Sequence, residues 1–297
     1  NIWTCPLCAA KVMVRRAEEI KQAINWAYNN GYKCVMVTFT FPHQKFHTCR
    51  ELLEGQRKAL RYFRSGKRWQ NFKKEVGFEG LIRSLEVTYG QNGWHPHTHE
   101  LWIVKKDADF DNLVVFTQNR WFRACEKNGL IPQNRTSAAY KRGVDIKDKV
   151  SCSEYLSKWG MDQELAFSHR KDNKKSIARK GKHPFSLVED YGNGNMHAAS
   201  LFLEYALAFK GKAQLFWTRG LKKRVGLLDK TDQELAEEKK DEALTIATIF
   251  KKEWDWVVKH DAQAFLLDIA ENQGEKGVYA WLDNALQNWL REKGPPD

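Results

Sequence analysis

No apolar run in the chain approaches the ~18 residues that a membrane span needs. Its first residues also lack the charged-then-apolar pattern of a secretory signal. Both absences point to a cytoplasmic protein. Cysteine is sparse, six in 297 residues, and Cys34, Cys49, Cys125 and Cys152 are scattered singly. That spacing excludes the disulfide framework of a small secreted domain. The chain has no internal repeat and no low-complexity segment, so a repeat architecture is excluded as well. With 42% hydrophobic residues and 12 Trp, it is a folded protein of one large domain or two.

Acidic residues are also scarce, but only over part of the length. Residues 1–230 hold 41 Lys and Arg against 22 Asp and Glu, a net of +19, whereas residues 231–297 hold 8 against 15, a net of −7. The first part is therefore expected to bind a polyanion. Arg170, Lys171, Lys174, Lys175, Arg179, Lys180 and Lys182 crowd one stretch that also contains Gly, Ser and Asn. Further on, Lys210 to Arg219 interleaves Lys212, Trp217 and Arg219 with apolar side chains. Cations hold phosphates and ring faces stack on unpaired bases, the combination that single-stranded nucleic acid requires.

Periodicity predicts a helix over Arg15 to Asn30, where Ile20, Ala23, Ile24 and Ala27 share a face. A buried strand follows over 34–41 and ends at Pro42. Helical sequence fills about 48–76, and a hairpin with strands at 80–89 and 94–104 comes next. Asp109 caps a helix that runs to Asn128 and Gly129. A short strand lies near 143–146, and Ser151 or Ser153 opens another helix. From residue 33 the order is β-α-β-β-α-β. This predicts an α+β fold of the split βαβ, ferredoxin-like or RRM-like type: an antiparallel sheet with helices on one face. The other face is expected to stay free for metal and DNA. The expected divisions are a Cys-containing N-terminal segment (1–14), a main domain (15–225) and an acidic helical C-terminal region (226–297).

The hairpin carries Trp94-His95-Pro96-His97-Thr98-His99. A strand sends alternate residues to one face, so the three imidazoles converge. Folding the hairpin about Gln91 and Asn92 sets Glu86 opposite His97 and Ser84 opposite His99, ~5 Å apart. Two imidazoles and a carboxylate on one sheet face make a site for a divalent cation. His95 is either a further ligand or a partner of DNA or water. A metal beside a polyanion-binding surface suggests phosphoryl transfer. The attacking group is then sought among the tyrosines, and Tyr155 has Lys158 one helical turn on, on the same face. Cys5-Pro6-Leu7-Cys8 has half the ligands of a zinc site, with partners expected upstream or among His43, His47 and Cys49.

The strand Val37-Thr38-Phe39-Thr40, the segment from Trp94 to His99 and Tyr155-Leu156-Ser157-Lys158 resemble, in order and spacing, the three motifs of HUH-type rolling-circle replication initiators. The resemblance is strongest to the plasmid replication (Rep) proteins of bacteria, and it covers residues 1–225. Cys5 to Cys8 and Gln214 to Lys222 also look like parts of that family. The resemblance implies a bacterial, cytoplasmic endonuclease that nicks one DNA strand at a replication origin. It also implies a covalent 5′-phosphotyrosyl bond to Tyr155 and a free 3′-OH that primes synthesis. On that reading His97, His99 and Glu86 hold Mg²⁺ or Mn²⁺, Lys158 assists the phosphate, and Cys5 and Cys8 are candidates for Zn²⁺. The implied partners are origin single strands, a host helicase or other replication proteins, and a second protomer in a homodimer. Some relatives place a glutamate one turn before the tyrosine to activate water for the terminating cleavage, and here position 151 is Ser. Glu154, another carboxylate, or the Tyr155 of a second protomer are left as the alternatives for that step. Two competing readings are a histidine-triad nucleotide hydrolase and a non-catalytic, metal-containing origin-binding regulator. The first wants apolar residues between its histidines, where this chain has Pro96 and Thr98.

Overall fold

The computed structural model describes residues 2–151, 154–155, 181–237, 246–260 and 262–293. Cys5 caps α1 (Pro6–Asn29), with Pro6 in the first turn where a missing N–H costs nothing. β1 (Tyr32–Phe39) is buried along nearly its whole length. Thr48 and Glu51 exchange hydrogen bonds in a capping box that starts α2 (Cys49–Phe63). α3 (Gly66–Glu75) leads into the hairpin of β2 (Gly80–Gly90) and β3 (Gly93–Lys105). Asp109 caps α4 (Phe110–Lys127), and α5 (Thr136–Arg142) and β4 (Val144–Lys147) follow. After residue 181 come α6 (Pro184–Gly192), α7 (Met196–Ala208), the short β5 (Leu215–Trp217) and α8 (Leu221–Val225). The last elements are α9 (Asp232–Glu237), α10 (Lys251–Lys259) and α11 (Gln263–Lys293), which is broken at Gly274.

The five strands form one antiparallel sheet in the order β4-β1-β3-β2-β5. β3 therefore lies at the centre, between β1 and β2. The hairpin turns at Gln91 and Asn92 in the expected register, with Glu86 opposite His97 and Ser84 opposite His99. Gly93 is needed there for two reasons. Its φ is +81°, and an added Cβ would meet the Lys45 Cα at 2.9 Å.

One sheet face is packed with aromatics. Phe39, Phe63, Trp69, Phe72, Trp102 and Trp121 are all buried there, and α2 and α4 lie over them. The other face carries the histidines, and it is not left open as the sequence suggested. The alternation that lines up His95, His97 and His99 also puts Leu101 and Ile103 on that face, beside Cys34, Met36 and Ile82, and all five are buried. Apolar surface of that extent is covered. α1 packs on β1, and α8 joins it, with Leu221 lying over Gly80 opposite Ile103.

α1 runs across residue 14 without a break. Leu227, Leu235 and Ala236 pack on the same core as the sheet. Asp232 accepts from the Trp3 indole at 2.9 Å and from Arg16 at 2.7 Å, and Arg16 also binds Glu19. Val257, Leu266, Ile269, Val278 and Leu282 make a second, small core of their own. Among the described residues no helix is long and apolar enough to cross a membrane.

Candidate metal centre

Glu86 on β2 and His97 and His99 on β3 meet on the histidine face. The Glu86 Oε2 lies 3.0 Å from His97 Nε2 and 3.2 Å from His99 Nε2. One ligand atom from each residue falls within 4.8 Å of the other two, the only such group of three among the described residues. Glu86 and His99 are buried and His97 is partly buried, its side chain 13% exposed. Two imidazole nitrogens and one carboxylate oxygen form a mixed donor set that could hold a divalent cation.

Around this group the histidines continue as a stack. His95 lies 5.0 Å from His97 and 4.6 Å from His43, ring centre to ring centre, both nearly parallel. The His95 Nε2 is 2.6 Å from the Thr40 hydroxyl. His95 is therefore engaged with Thr40 and stands outside the trio. Burial, with His97 next in effect, lowers its pKa to about 3. The Thr38 hydroxyl reaches His99 Nδ1 at 2.9 Å. His183 caps α6 through its Nδ1; enclosure lowers its pKa to about 4, and Glu86 exerts a smaller opposing pull.

Tyr155 is on this face too, one backbone step from the site. Its hydroxyl donates to the carbonyl oxygens of His99 and Ile82, both long contacts at 3.4 Å, and the Ser84 hydroxyl lies on the same His99 carbonyl. The ring has no exposed surface, and burial pushes the phenol pKa up. Ser151 and Glu154 cap the turn reciprocally: the Glu154 carboxylate takes the Ser151 N–H at 2.8 Å and the Ser151 hydroxyl takes the Glu154 N–H at 3.2 Å. Glu154 is exposed and directed into that cap.

Other expected residues are dispersed. Lys158, Arg170, Lys171, Lys174, Lys175, Arg179 and Lys180 lie outside the described residues. Lys182 bridges Tyr89 and pairs with Asp190 at 2.7 Å. Trp217 is half-buried on β5 with the Lys222 ammonium 5.6 Å from its ring centre, and Arg219 is exposed. Lys212 lies on the α2 side, close enough to Glu54 and Cys49 to act on their charges. The Cys5 thiol accepts from the Cys8 N–H at 3.5 Å as a helix cap. Among the described residues, neither His43, His47 nor Cys49 joins the Cys5–Cys8 pair in a metal-ligating group. His43 stacks on His95 instead, and Cys49 is buried at the start of α2.

The role of His183 was not legible from sequence, because a loop and a helix start bring it to Glu86 from far along the chain. Thr38 on β1 and Thr40 just beyond its end had a signal: they alternate as the histidines do on β3.

Fold and site together define an α+β protein with a candidate divalent-metal centre on the central strand of an antiparallel sheet. A family model described as "Replication protein" matches residues 2–262, and the chain belongs to that family. It is similar to "Protein rep" of Streptomyces lividans, at 28% identity over 290 aligned residues that take in 76% of this chain and 63% of the relative. It also resembles the "Neomycin resistance protein" of Streptomyces cyanogenus, at 30% identity over 130 residues, 35% of this chain and 30% of that one. The chain thus spans less than two thirds of the length of either relative. No solved structure matches it.

Proposed function

We propose that this chain starts plasmid replication by cutting one DNA strand at an origin and holding the new 5′ end on Tyr155. The observation that carries the reading is the grouping of Glu86, His97 and His99 with the Tyr155 hydroxyl on the His99 carbonyl, inside a member of the replication protein family. The sheet order β4-β1-β3-β2, with helices between β1 and β2 and between β3 and β4, supports the split βαβ assignment.

Glu86, His97 and His99 would hold the cation, Mn²⁺ or Mg²⁺. When bound it polarises the scissile phosphate and offsets the charge that builds up during in-line displacement. Tyr155 oxygen forms the new bond to phosphorus while the bond to the 3′ oxygen breaks. The phenol loses its proton, and the departing 3′ oxygen gains one. Tyr155 is enclosed and kept neutral by burial, so its hydroxyl has to be uncovered before attack. The single strand is assigned to the side of the site at His97, the least buried member of the trio, where Phe46, 74% exposed, packs beside His47. Lys158 and the basic cluster of 170–182 are assigned to phosphate contacts. Residues 246–293, with their own small core, are assigned to contacts with a host replication protein or a second protomer. A histidine-triad hydrolase is disfavoured by Glu86 lying between two of the histidines and by the engagement of His95 with Thr40.

The test is incubation of the full chain with Mn²⁺ and single-stranded origin oligonucleotides, followed by mass spectrometry of the adduct. A nucleotide on Tyr155, absent in Tyr155→Phe, is expected. That replacement conserves almost all the ring's volume, so folding and metal binding survive. An adduct on Tyr89, Tyr140 or a histidine would refute the assignment.

A further inference from the structure

We infer that Thr38 is a positioning residue that governs which nitrogen of His99 carries the proton, and that its hydroxyl lets the ring change tautomer when a divalent cation enters. The inference rests on the proposed role of His99 as a ligand.

Register places Thr38 directly opposite His99 in the β1–β3 ladder. Its hydroxyl is 2.9 Å from Nδ1, while Nε2 faces the Glu86 carboxylate at 3.2 Å. Which ring nitrogen bears the proton is set by the hydrogen bond that the other one makes. With no cation, a proton on the His99 Nε2 has the Glu86 carboxylate as its acceptor. Nδ1 then carries a lone pair and accepts from the Thr38 O–H. A cation needs the Nε2 lone pair, so the ring proton must reside on Nδ1. Nδ1–H now requires an acceptor in a buried place, and the Thr38 oxygen supplies it by turning its own proton away.

Only a hydroxyl can serve both states, because it offers one donor and two lone pairs. A carboxylate or carbonyl in that position could only accept, and would lock the metal-ready tautomer. A valine could do neither, and would leave Nδ1 without this partner in both states. Thr38 therefore suits a site whose cation comes and goes.

Thr40, one residue past the end of β1, gives the contrast. Its hydroxyl takes the Nε2 of His95, the nitrogen that His99 and His97 turn towards Glu86. Two threonines, two residues apart, thus sort neighbouring histidines: one is directed at the cation and the other away from it.

The experiment measures Mn²⁺ affinity of the full chain by electron paramagnetic resonance of free Mn²⁺, and His99 protonation by ¹⁵N-edited NMR with and without Zn²⁺. Thr38→Val should weaken Mn²⁺ about 10–100-fold, the loss typical of an outer-shell partner, and Thr38→Ser should restore it. In the wild type the His99 proton should pass from Nε2 to Nδ1 on addition of Zn²⁺. Wild-type affinity in Thr38→Val, with binding lost in His99→Ala, would overturn the role of Thr38 and leave the cation site standing. Undiminished Mn²⁺ binding in His99→Ala would overturn the cation site, and this inference with it. Equal weakening in Thr38→Val and Thr38→Ser would also overturn it, since packing rather than the hydroxyl would then matter.

Discussion

The two faces of the central hairpin each bury one carboxylate, and the two are matched differently. Glu100 is fully enclosed on the aromatic face, where it pairs with the Arg64 guanidinium, takes the Trp102 N–H at 2.8 Å and stands opposite Arg83. Glu86, on the other face, meets two imidazoles. A carboxylate closed by a permanent cation and an indole N–H is a structural charge. A carboxylate gathered with two rings that can be neutral is a place for a cation, because imidazole nitrogens give up a proton to bind metal and guanidinium nitrogens do not. Burial alone does not separate the two roles; the partners do.

The largest effect that would sharpen this contrast is on cleavage. Glu86→Gln, His97→Ala or His99→Ala should each lower the initial rate of single-strand cutting by several orders of magnitude, since a bound cation contributes several kcal/mol to the barrier, with the thermal melt little changed. Full activity of the wild type in EDTA would remove the basis of the comparison.

Glu100→Ala should do the reverse. It leaves Arg64 without its charge partner beside the aromatic core, a loss of about 3–5 kcal/mol, visible as a lower urea midpoint. Its Mn²⁺ affinity should match that of wild type. If Glu100→Ala melts normally, the structural half of the contrast is wrong.

The imidazole side also has a pH signature. His183 and His95 are held to about 4 and about 3 in the folded chain, chiefly by burial, whereas unfolded imidazole titrates near ~6.5. Between those values the unfolded chain binds more protons, so stability rises with pH. It is fully present above ~6.5 and is lost as pH falls towards the folded values, by on the order of 2–3 kcal/mol for His183. His183→Asn, which keeps an acceptor for the helix cap, should flatten the fall in melting temperature between pH 7 and 5. An unchanged slope would show that His183 is not held neutral.

The smallest expected effect concerns a third carboxylate, Asp232, whose side chain is 21% exposed. Asp232→Ala removes its bonds to Arg16 and Trp3, but Glu19 still pairs with Arg16 at 2.7 Å. A loss of ~1 kcal/mol is expected, read from the same urea titration. A loss as large as that of Glu100→Ala would mean that Asp232, despite its exposure, is as tightly built in as the enclosed carboxylate.

Much of the site could be read from local pattern. The Gly90-Gln91-Asn92-Gly93 turn sets the hairpin register, and the period of two then leaves no freedom in which residues face Glu86. The same rule was applied too narrowly to coverage: Leu101 and Ile103 share the histidine face, and their apolar area required α1 and α8 above them. Ser151 and Glu154 have the Ser-x-x-Glu spacing of a capping box, and that is how they pair.

The sequence by itself determined the hairpin, its register, the convergence of His97, His99 and Glu86, and the membership of a replication family that the motifs announce. The hairpin, its register and the convergence follow from turn chemistry and strand alternation, which act within about 20 residues. Only the tertiary structure decided the register of β1 on β3, so that Thr38 meets His99 and Thr40 engages His95. It alone brought His43 and His183 to the site, closed Tyr155 against the His99 carbonyl and packed residues 227–236 onto the main core. Contacts of that kind join segments tens to hundreds of residues apart. They form where burying apolar surface outweighs the entropy of closing the loops between them, a balance struck over the whole chain that no local pattern records.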